Sequence, residues 1–117
     1  MRSDRERLLD ILDATDRIAV RVVRGRERFD ADEDAQLAMV RLIEIVGEAC
    51  ASVSAGTRSR HPAVPWRAAA DLRNRVIHGY FDIDLDLVWV AAATEMPALA
   101  GPVRAALDEL SAQGEDR

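Results

Sequence analysis

Apolar residues recur at intervals of three and four along most of the chain, which is the spacing of an amphipathic α-helix. The first such stripe consists of Leu8, Ile11, Leu12, Ile18, Ala19, Val22 and Val23. Ser3 and Glu6 have the spacing of a capping box, and Gly25 follows the last apolar residue. The pattern therefore predicts a first helix over residues 4–24.

A second run of helical periodicity begins after Asp30, which is a suitable N-cap. Its apolar positions are Leu37, Val40, Ile43, Ile45, Val46, Cys50 and Val53. We expect this helix to reach Ser54 and to end at Gly56, because glycine commonly terminates helices. Prolines and small residues at 57–65 predict a loop, followed by a third helix over residues 65–78 with glycine at position 79 as its left-handed C-cap.

The remaining chain carries two further helical stripes. Asp82 is the predicted N-cap of a fourth helix, and Pro97 either kinks that helix or lies in the first turn of a fifth that starts near Thr94. The inward positions are Leu85, Val88, Trp89 and Ala92 in the fourth helix, and Leu99, Val103, Leu107 and Leu110 in the fifth. No stretch alternates with a period of two. The sequence therefore predicts an all-α fold, an antiparallel bundle of four to five helices.

Composition limits the number of domains and the cellular location that we expect for this bundle. With 117 residues, 49% of them hydrophobic, the chain can form the core of one domain over residues 1–117. No run approaches the roughly 18 apolar residues of a membrane-spanning helix, and the charged start does not resemble a signal peptide, so we expect a cytoplasmic protein. Cys50, the single cysteine, lies on an apolar stripe and is expected to be a small buried hydrophobic residue.

Charge is unevenly distributed along the chain. The net charge of −5 argues against a general nucleic-acid binder, yet residues 57–80 carry five arginines and only one acid, Asp71. Arg24, Arg26 and Arg28 are most simply interpreted as a solvated helix end. The basic segment is therefore the more informative one.

Within that segment, four polar residues of complementary chemistry lie close together: Arg73, Asn74, His78 and Tyr80. Arginine keeps its charge and can bind phosphate oxygens with two hydrogen bonds, while histidine can accept or donate a proton near neutral pH. Cleavage of RNA by its own 2′-hydroxyl needs a base, an acid and a cation beside the phosphorane. One histidine cannot serve as base and acid at once, but His78 from each of two subunits could divide the work.

Each of these residues also has a purely structural interpretation. Arg73 could form an ion pair with Asp71 or Glu44, His78 could be favoured by the dipole at a helix C-terminus, and Tyr80 could be a core aromatic with a solvated hydroxyl. From the residues alone, both interpretations stay open.

The wider pattern resembles a known family. Arg73-x4-His78-x-Tyr80, with an asparagine after the arginine and Phe-Asp-Ile-Asp after the tyrosine, resembles the signature of HEPN-domain toxins of the HepT type. Further similar blocks are Glu-Ile-Val-Gly-Glu-Ala at 44–49, His-Pro-x-Val-Pro-Trp at 61–66 and Asp-Leu-Val-Trp at 86–89. Four blocks in the family's order are far more specific than one short motif.

The resemblance implies a HEPN-like helical bundle that cleaves RNA as an endoribonuclease without a metal or other cofactor. It implies a homodimer with one interfacial cleft, in which Arg73 and His78 are catalytic and Asn74 and Tyr80 support them. It further implies a toxin–antitoxin pair, in which a minimal nucleotidyltransferase antitoxin neutralises the toxin by attaching AMP to Tyr80. A non-catalytic module that regulates such a nucleotidyltransferase, or that binds nucleotide or RNA without cleavage, is the alternative.

Other polar and aromatic residues are predicted to have supporting parts. Glu44 and Glu48 could reach the cleft and orient the arginine. His61, beside a proline, is expected to be a turn residue rather than a catalyst. Trp66 and Trp89 are expected to be core or interface anchors rather than platforms for stacked bases.

Overall fold

The computed structural model describes residues 2–79 and 82–114. Its helices are α1 (Asp4–Val23), α2 (Arg26–Ala31), α3 (Glu33–Ser52), α4 (Ala55–Arg60), α5 (Trp66–Val76), α6 (Leu85–Val90) and α7 (Met96–Ala112). A π-helical turn, Ala91–Glu95, joins α6 and α7 without a break. Over the described residues there is no β-strand, only an isolated bridge between Ile77 and Ile83. The predicted all-α fold is confirmed.

The long helices form the bundle, and the short helices α2 and α4 connect them. Helix α1 packs against α3 and α7, and α3 packs against α5. The Arg7 guanidinium near the start of α1 donates to the Ser52 carbonyl at the end of α3 (2.9 Å), so these two helices are antiparallel. None of the described helices has the length and apolar character needed to cross a membrane.

The start of the first helix agrees with its sequence signal. The Glu6 backbone N–H donates to Ser3 Oγ (3.1 Å), and the Ser3 N–H donates to Glu6 Oε1 (3.0 Å), which completes the predicted capping box. The helix ends at Val23, one residue before the predicted end. Gly25 then adopts φ +92°, a left-handed conformation that turns the chain into α2.

Two predicted boundaries around the second long helix are wrong. Asp30 lies inside α2, and Asp32 caps α3 instead by accepting the backbone N–H groups of Asp34 and Ala35. At the other end, α3 stops at Ser52, and Gly56 belongs to α4 rather than ending a helix. Both short helices form where the sequence predicted only connections. Helix α4 is capped by the Ser54 side chain, which accepts the Thr57 N–H, whereas α2 follows Gly25 without a side-chain cap.

The third helix also ends earlier than predicted. The chain leaves α5 at Ile77 in an extended conformation, and Gly79 has no positive φ, so the predicted left-handed glycine cap is wrong. Pairing with the returning chain replaces that cap: the His78 N–H donates to the Asp82 carbonyl and the Asp84 N–H donates to the Val76 carbonyl, both at 2.8 Å. Since this pairing occupies the Asp82 backbone, the next helix starts later.

The fourth helix starts at Leu85, with Asp84 rather than Asp82 as its N-cap. Pro97 lies in the first turn of α7, which corresponds to one of the two predicted alternatives, although no break precedes it. The π-helical turn explains the continuity. The Met96 N–H donates to the Ala91 carbonyl, five residues back, and this wider turn accommodates a proline that lacks an N–H and would crowd a regular helix.

One hydrophobic core receives most of the predicted stripe positions of the long helices. The prediction is wrong for Ala19 and for Val23, the last residue of α1, since both are exposed. Its most deeply buried large side chains include Leu8, Ile11, Ile18, Met39, Ile43, Leu72, Met96, Leu99 and Leu110. Trp66 is buried, and Trp89 packs against Phe29 with ring centroids 5.5 Å apart, so both tryptophans have contacts expected of core anchors. Cys50 is fully buried, as predicted, and burial raises the pKa of its thiol to about 12.

A buried carboxylate fastens the start of α1 to the start of α4. Asp4 accepts hydrogen bonds from the Ser54 N–H (2.9 Å), Ser54 Oγ (2.6 Å) and Thr57 Oγ1 (2.7 Å). Burial alone would raise the pKa of Asp4, but these hydrogen bonds to the charged form outweigh it and lower the pKa below its ordinary value of 3.8. The ionised carboxylate is therefore part of the folded structure.

We predict that Asp4→Ala lowers the free energy of unfolding by about 3 kcal/mol at neutral pH, because buried donors lose a charged acceptor. Asp10→Ala is the matched control. Its carboxylate pairs with Arg2 at 2.7 Å on the surface, so its loss should cost under about 1 kcal/mol. Urea unfolding of both variants measures the difference, and equal losses would contradict the assignment.

The same carboxylate predicts a pH dependence. Since the pKa is lowered in the folded state, the contribution of Asp4 is complete above the ordinary value of 3.8 and is lost as the pH falls through the lower folded value. The stability gap between the parent and Asp4→Ala should therefore close in acid. A gap that widens as the pH falls would contradict the direction of the shift.

Candidate functional site

The site begins with an unusually close contact between α3 and α5. A Cβ atom at Gly47 would lie 3.2 Å from the Ala69 carbonyl oxygen and 3.4 Å from that of Ala70. Only glycine on α3 lets the α5 backbone approach this closely without displacement. Because the two helices are antiparallel, the residue one turn earlier on α3, Glu44, faces the residue one turn later on α5, Arg73.

Arg73 and Glu44 form a direct ion pair. The Arg73 Nε donates to Glu44 Oε2 at 2.8 Å, and the side chains are 51% and 24% exposed, respectively. The two terminal guanidinium nitrogens form no other hydrogen bond with the described residues. The pair is the one predicted both for a structural arginine and for an arginine oriented by Glu44, and it leaves one edge of the guanidinium open to solvent.

His78 lies just beyond α5, in the loop closed by its own backbone bond to Asp82. Its side chain is 51% exposed, and Nε2 is 3.8 Å from Asp84 Oδ2, a distance too long for a hydrogen bond. The backbone of His78 is thus fixed, while its imidazole stays accessible to a ligand from outside the chain.

The other predicted site residues are less well defined by contacts. Asn74 is exposed on α5 beside the arginine, and its side chain forms no hydrogen bond with any described residue. Tyr80 lies outside the described residues, as does Phe81, so the expected return of the tyrosine toward Arg73 stays a prediction. Glu48 is exposed one turn beyond Glu44 and has no contact with the arginine in the described structure.

An open groove of about 390 Å³ lies beside the ion pair. It is lined by Leu37, Val40, Glu44, Arg73, Ile77, Gly79 and Ile83. Sequence reasoning predicted the two charged residues of this lining but not the apolar ones. Leu37 belonged to a stripe expected to be buried, yet it is 39% exposed at the groove, and no signal in the sequence separates it from its buried neighbours.

This arrangement suits a ligand with both an anionic and an apolar part. The guanidinium can bind phosphate oxygens, and the apolar wall can contact a sugar or base. His78 can move one proton at a time, so one chain supplies only half of an acid–base pair. Among the described residues, no group of three or more histidine, cysteine, aspartate or glutamate side chains is placed to hold a metal ion.

The second histidine has a different environment. His61 ends α4, its carbonyl accepts the Trp66 indole N–H (3.0 Å), and its Nε2 is 3.4 Å from Glu109 Oε2. These contacts are those of a turn residue, as predicted, and none of them involves the groove.

Comparison with known proteins indicates a ribonuclease family, and the similarity covers most of the chain. The family profile described as "Ribonuclease HepT-like" matches residues 11–106. A protein of Thermococcus cleftensis named "Probable ribonuclease HepT" is 36% identical over 75 residues, which cover 64% of this chain and 68% of the relative. No solved structure gives a significant match.

Two further relatives, whose names mark them only as candidate RNases, extend the coverage. The protein of Methanocaldococcus jannaschii is 30% identical over 92 residues, or 79% of this chain and 71% of the relative. The protein of Caldanaerobacter subterraneus is 34% identical over 83 residues, or 71% of this chain and 74% of the relative. With its helical bundle and a profile match that spans α3, α5 and α6, the chain belongs to the HepT-like ribonuclease family.

Proposed function

We propose that this protein is a ribonuclease toxin that cleaves RNA at a site shared by two subunits. The observation that carries the proposal is the Arg73–Glu44 pair (2.8 Å) beside an open groove, with an accessible His78 in the adjoining loop. Membership of the HepT-like family, and relatives named as ribonucleases, supply the substrate class.

The proposed reaction is a metal-independent endonucleolytic cleavage by the RNA's own 2′-hydroxyl. His78 of one subunit removes the 2′-hydroxyl proton as its oxygen attacks phosphorus, and His78 of the second subunit protonates the departing 5′-oxygen. Arg73 stabilises the extra negative charge on the phosphorane between these steps. The products are a cyclic phosphate and a free 5′-hydroxyl, so no external nucleophile is needed.

Glu44 orients the Arg73 guanidinium toward the phosphorane. By accepting from Nε, the carboxylate fixes the plane of the guanidinium and directs its terminal nitrogens outward. Asn74, on the same exposed surface of α5, is placed to donate a further hydrogen bond to a phosphate or to His78. Tyr80 follows two residues after the histidine, and its phenol is proposed both to assist binding and to be the group that an antitoxin modifies.

A homodimer is proposed because one chain lacks a complete acid–base pair. Exposed apolar side chains on the helices that flank the His78 loop support a protein contact there. They are Leu37 on α3, and Leu87 and Val90 on α6, with exposures of 39%, 39% and 49%. A two-fold axis would bring the same segment from both subunits to one cleft.

Regulation is proposed to come from a minimal nucleotidyltransferase antitoxin that transfers AMP from ATP to Tyr80, with pyrophosphate as the leaving group. The new phosphodiester carries a negative charge that can pair with Arg73, and the adenosine would occupy space needed by the RNA. The second candidate function is a non-catalytic module that binds such a nucleotidyltransferase or a nucleotide. The acidic net charge of −5 favours a protein partner in that case.

The proposed dimer has a direct test. Static light scattering on the purified protein at micromolar concentration should give twice the 12.9 kDa chain mass. Replacement of Val90 by Asp should shift the mass toward the monomer, because a charge would be buried at an apolar contact. A monomer for the parent would remove the shared site from the proposal.

The catalytic assignment predicts a loss of activity without a loss of fold. His78→Ala and Arg73→Ala should each lower the rate of RNA cleavage by about 10² to 10⁴, because they remove proton transfer and phosphorane stabilisation. Arg75→Ala and His61→Ala are the matched controls. Arg75 pairs with Glu95 (3.3 Å) and His61 adjoins Glu109, and neither lines the groove, so cleavage should persist.

Circular dichroism should give the same helix content for all four variants. Parent-rate cleavage by purified His78→Ala would show that the assignment of this histidine is wrong. If the parent itself cleaves no RNA under any condition, the non-catalytic alternative is favoured instead.

The modification site predicts a separation of toxicity from neutralisation. Tyr80→Phe keeps the ring but removes the acceptor oxygen. If the phenol is mainly the regulatory group and only assists binding, the variant should still cleave RNA and inhibit growth while resisting the antitoxin. Intact-mass measurement after incubation with the nucleotidyltransferase and ATP should show one or more added AMP groups on the parent. The same adduct on Tyr80→Phe would place the modification at another residue.

A further inference from the structure

A second concave site lies at the same end of the bundle, where α1, α2 and α3 meet. The cavity measures about 220 Å³, and three arginines line it: Arg21, Arg24 and Arg28. Gly25, between the second and the third, turns the chain through its left-handed conformation. Because of this turn, Arg28 of α2 lines the same cavity as Arg21 and Arg24 at the end of α1.

The three cavity arginines differ from neighbouring arginines in that no ion pair within the described structure neutralises their charge. Arg17 pairs with Asp13 at 3.0 Å, and Arg26 pairs with Asp30 and with Asp86. By contrast, the cavity arginines form no ion pair with any described residue. Their single side-chain hydrogen bond to a described residue, from Arg21 Nη1 to the Arg17 carbonyl (3.0 Å), adds no compensating charge.

The positive charge is therefore available to a ligand. The predicted solvated helix end holds for Arg24 and Arg28, which are both exposed and also line the cavity. Arg26 differs, because it pairs with Asp30 and Asp86.

Carboxylates in the same cavity narrow the kind of anion it would accept. Asp32 and Asp34 also line it, and the Asp32 carboxylate is engaged in capping α3 through the Asp34 and Ala35 N–H groups (2.9 and 3.4 Å). An acidic peptide would meet these carboxylates with like charge. A ribonucleotide also carries negative charge, but its phosphate can bind the arginines while its hydroxyl and amino groups donate to a carboxylate.

The position of the cavity relates it to the proposed cleavage groove. Both flank the N-terminal half of α3: Ala35, Ala38 and Met39 contribute to the cavity, while Leu37 and Val40 contribute to the groove. The separation is about one helix diameter, on the order of 10 Å. A single RNA strand that passes over the end of α3 could therefore reach both.

We propose that the Arg21–Arg24–Arg28 cavity is a subsite for a backbone phosphate of single-stranded RNA, adjacent to the residues that cleave it. This subsite rests on the proposed ribonuclease function and adds a binding element remote from the reacting atoms. It makes affinity depend on the length of the RNA, since a short substrate fills the groove without reaching the cavity.

Steady-state cleavage separates the two sites. In Arg24→Ala/Arg28→Ala, KM for a single-stranded RNA oligonucleotide should rise about tenfold while kcat is unchanged, because the lost contacts bind phosphate without taking part in the chemistry. Cleavage of a dinucleotide should match the parent. Arg5→Ala/Arg58→Ala is the control. It removes two exposed arginines, one in the first turn of α1 and one in α4, and it lowers the net charge by the same amount.

Salt dependence gives an independent readout. In the His78→Ala background, the slope of log affinity for the oligonucleotide against log salt should shrink by about 0.7 for the double variant, the value for one phosphate contact on a single strand. The control pair should keep the parent slope. Equal changes in both double variants would indicate a general charge effect and would overturn the subsite.

The failures of the two proposals are distinguishable. If the parent cleaves RNA and Arg24→Ala/Arg28→Ala matches it in KM and in salt slope, the subsite is wrong and the ribonuclease stands. If the parent neither binds nor cleaves RNA, the proposed function itself fails. Loss of affinity for the nucleotidyltransferase, with RNA binding unchanged, would assign the cavity to a protein partner and would also overturn the subsite.

Discussion

The close approach of α3 and α5 at Gly47 is the constraint on which the site depends. A side chain here would meet the Ala69 carbonyl at 3.2 Å, and backbone cannot move aside as a flexible side chain can. The short distance between the helices brings a glutamate on one to an arginine on the other. The groove lies beside this pair, and its apolar wall comes from α3 and from the chain that follows α5.

Much of the fold could be predicted because its signals are local. The stripes of α1, α3 and α7 follow the helical period, and the Ser3–Glu6 capping box needs only residues three positions apart. The errors occur where two local signals compete. Asp30 and Asp32 are equally good caps by residue type, but Asp30 lies within α2 and Asp32 caps α3. Phe29 of α2 packs against Trp89, a contact between distant parts of the chain that local signals do not contain.

Only the motif residues of the candidate site could be predicted from the sequence; the groove could not. Arg73 and His78 are recognisable from residue type and spacing, whereas the groove beside them is made by residues from three separate segments. Gly79 illustrates the limit. Its residue type favours a left-handed cap, but pairing between Ile77 and Ile83 fixes the backbone instead, and such pairing depends on the path of the returning chain.

The contacts of α1 have a consequence for the timing of folding during synthesis. Asp4 accepts hydrogen bonds from Ser54 and Thr57, and α1 packs against α7, which leaves the ribosome after all the other described helices. At roughly 5–20 residues per second, the first helix waits several seconds for its final neighbour. A ribosome-bound chain therefore exposes the part of α1 that contacts α7 until α7 has emerged from the ribosome, and the bundle closes only after that.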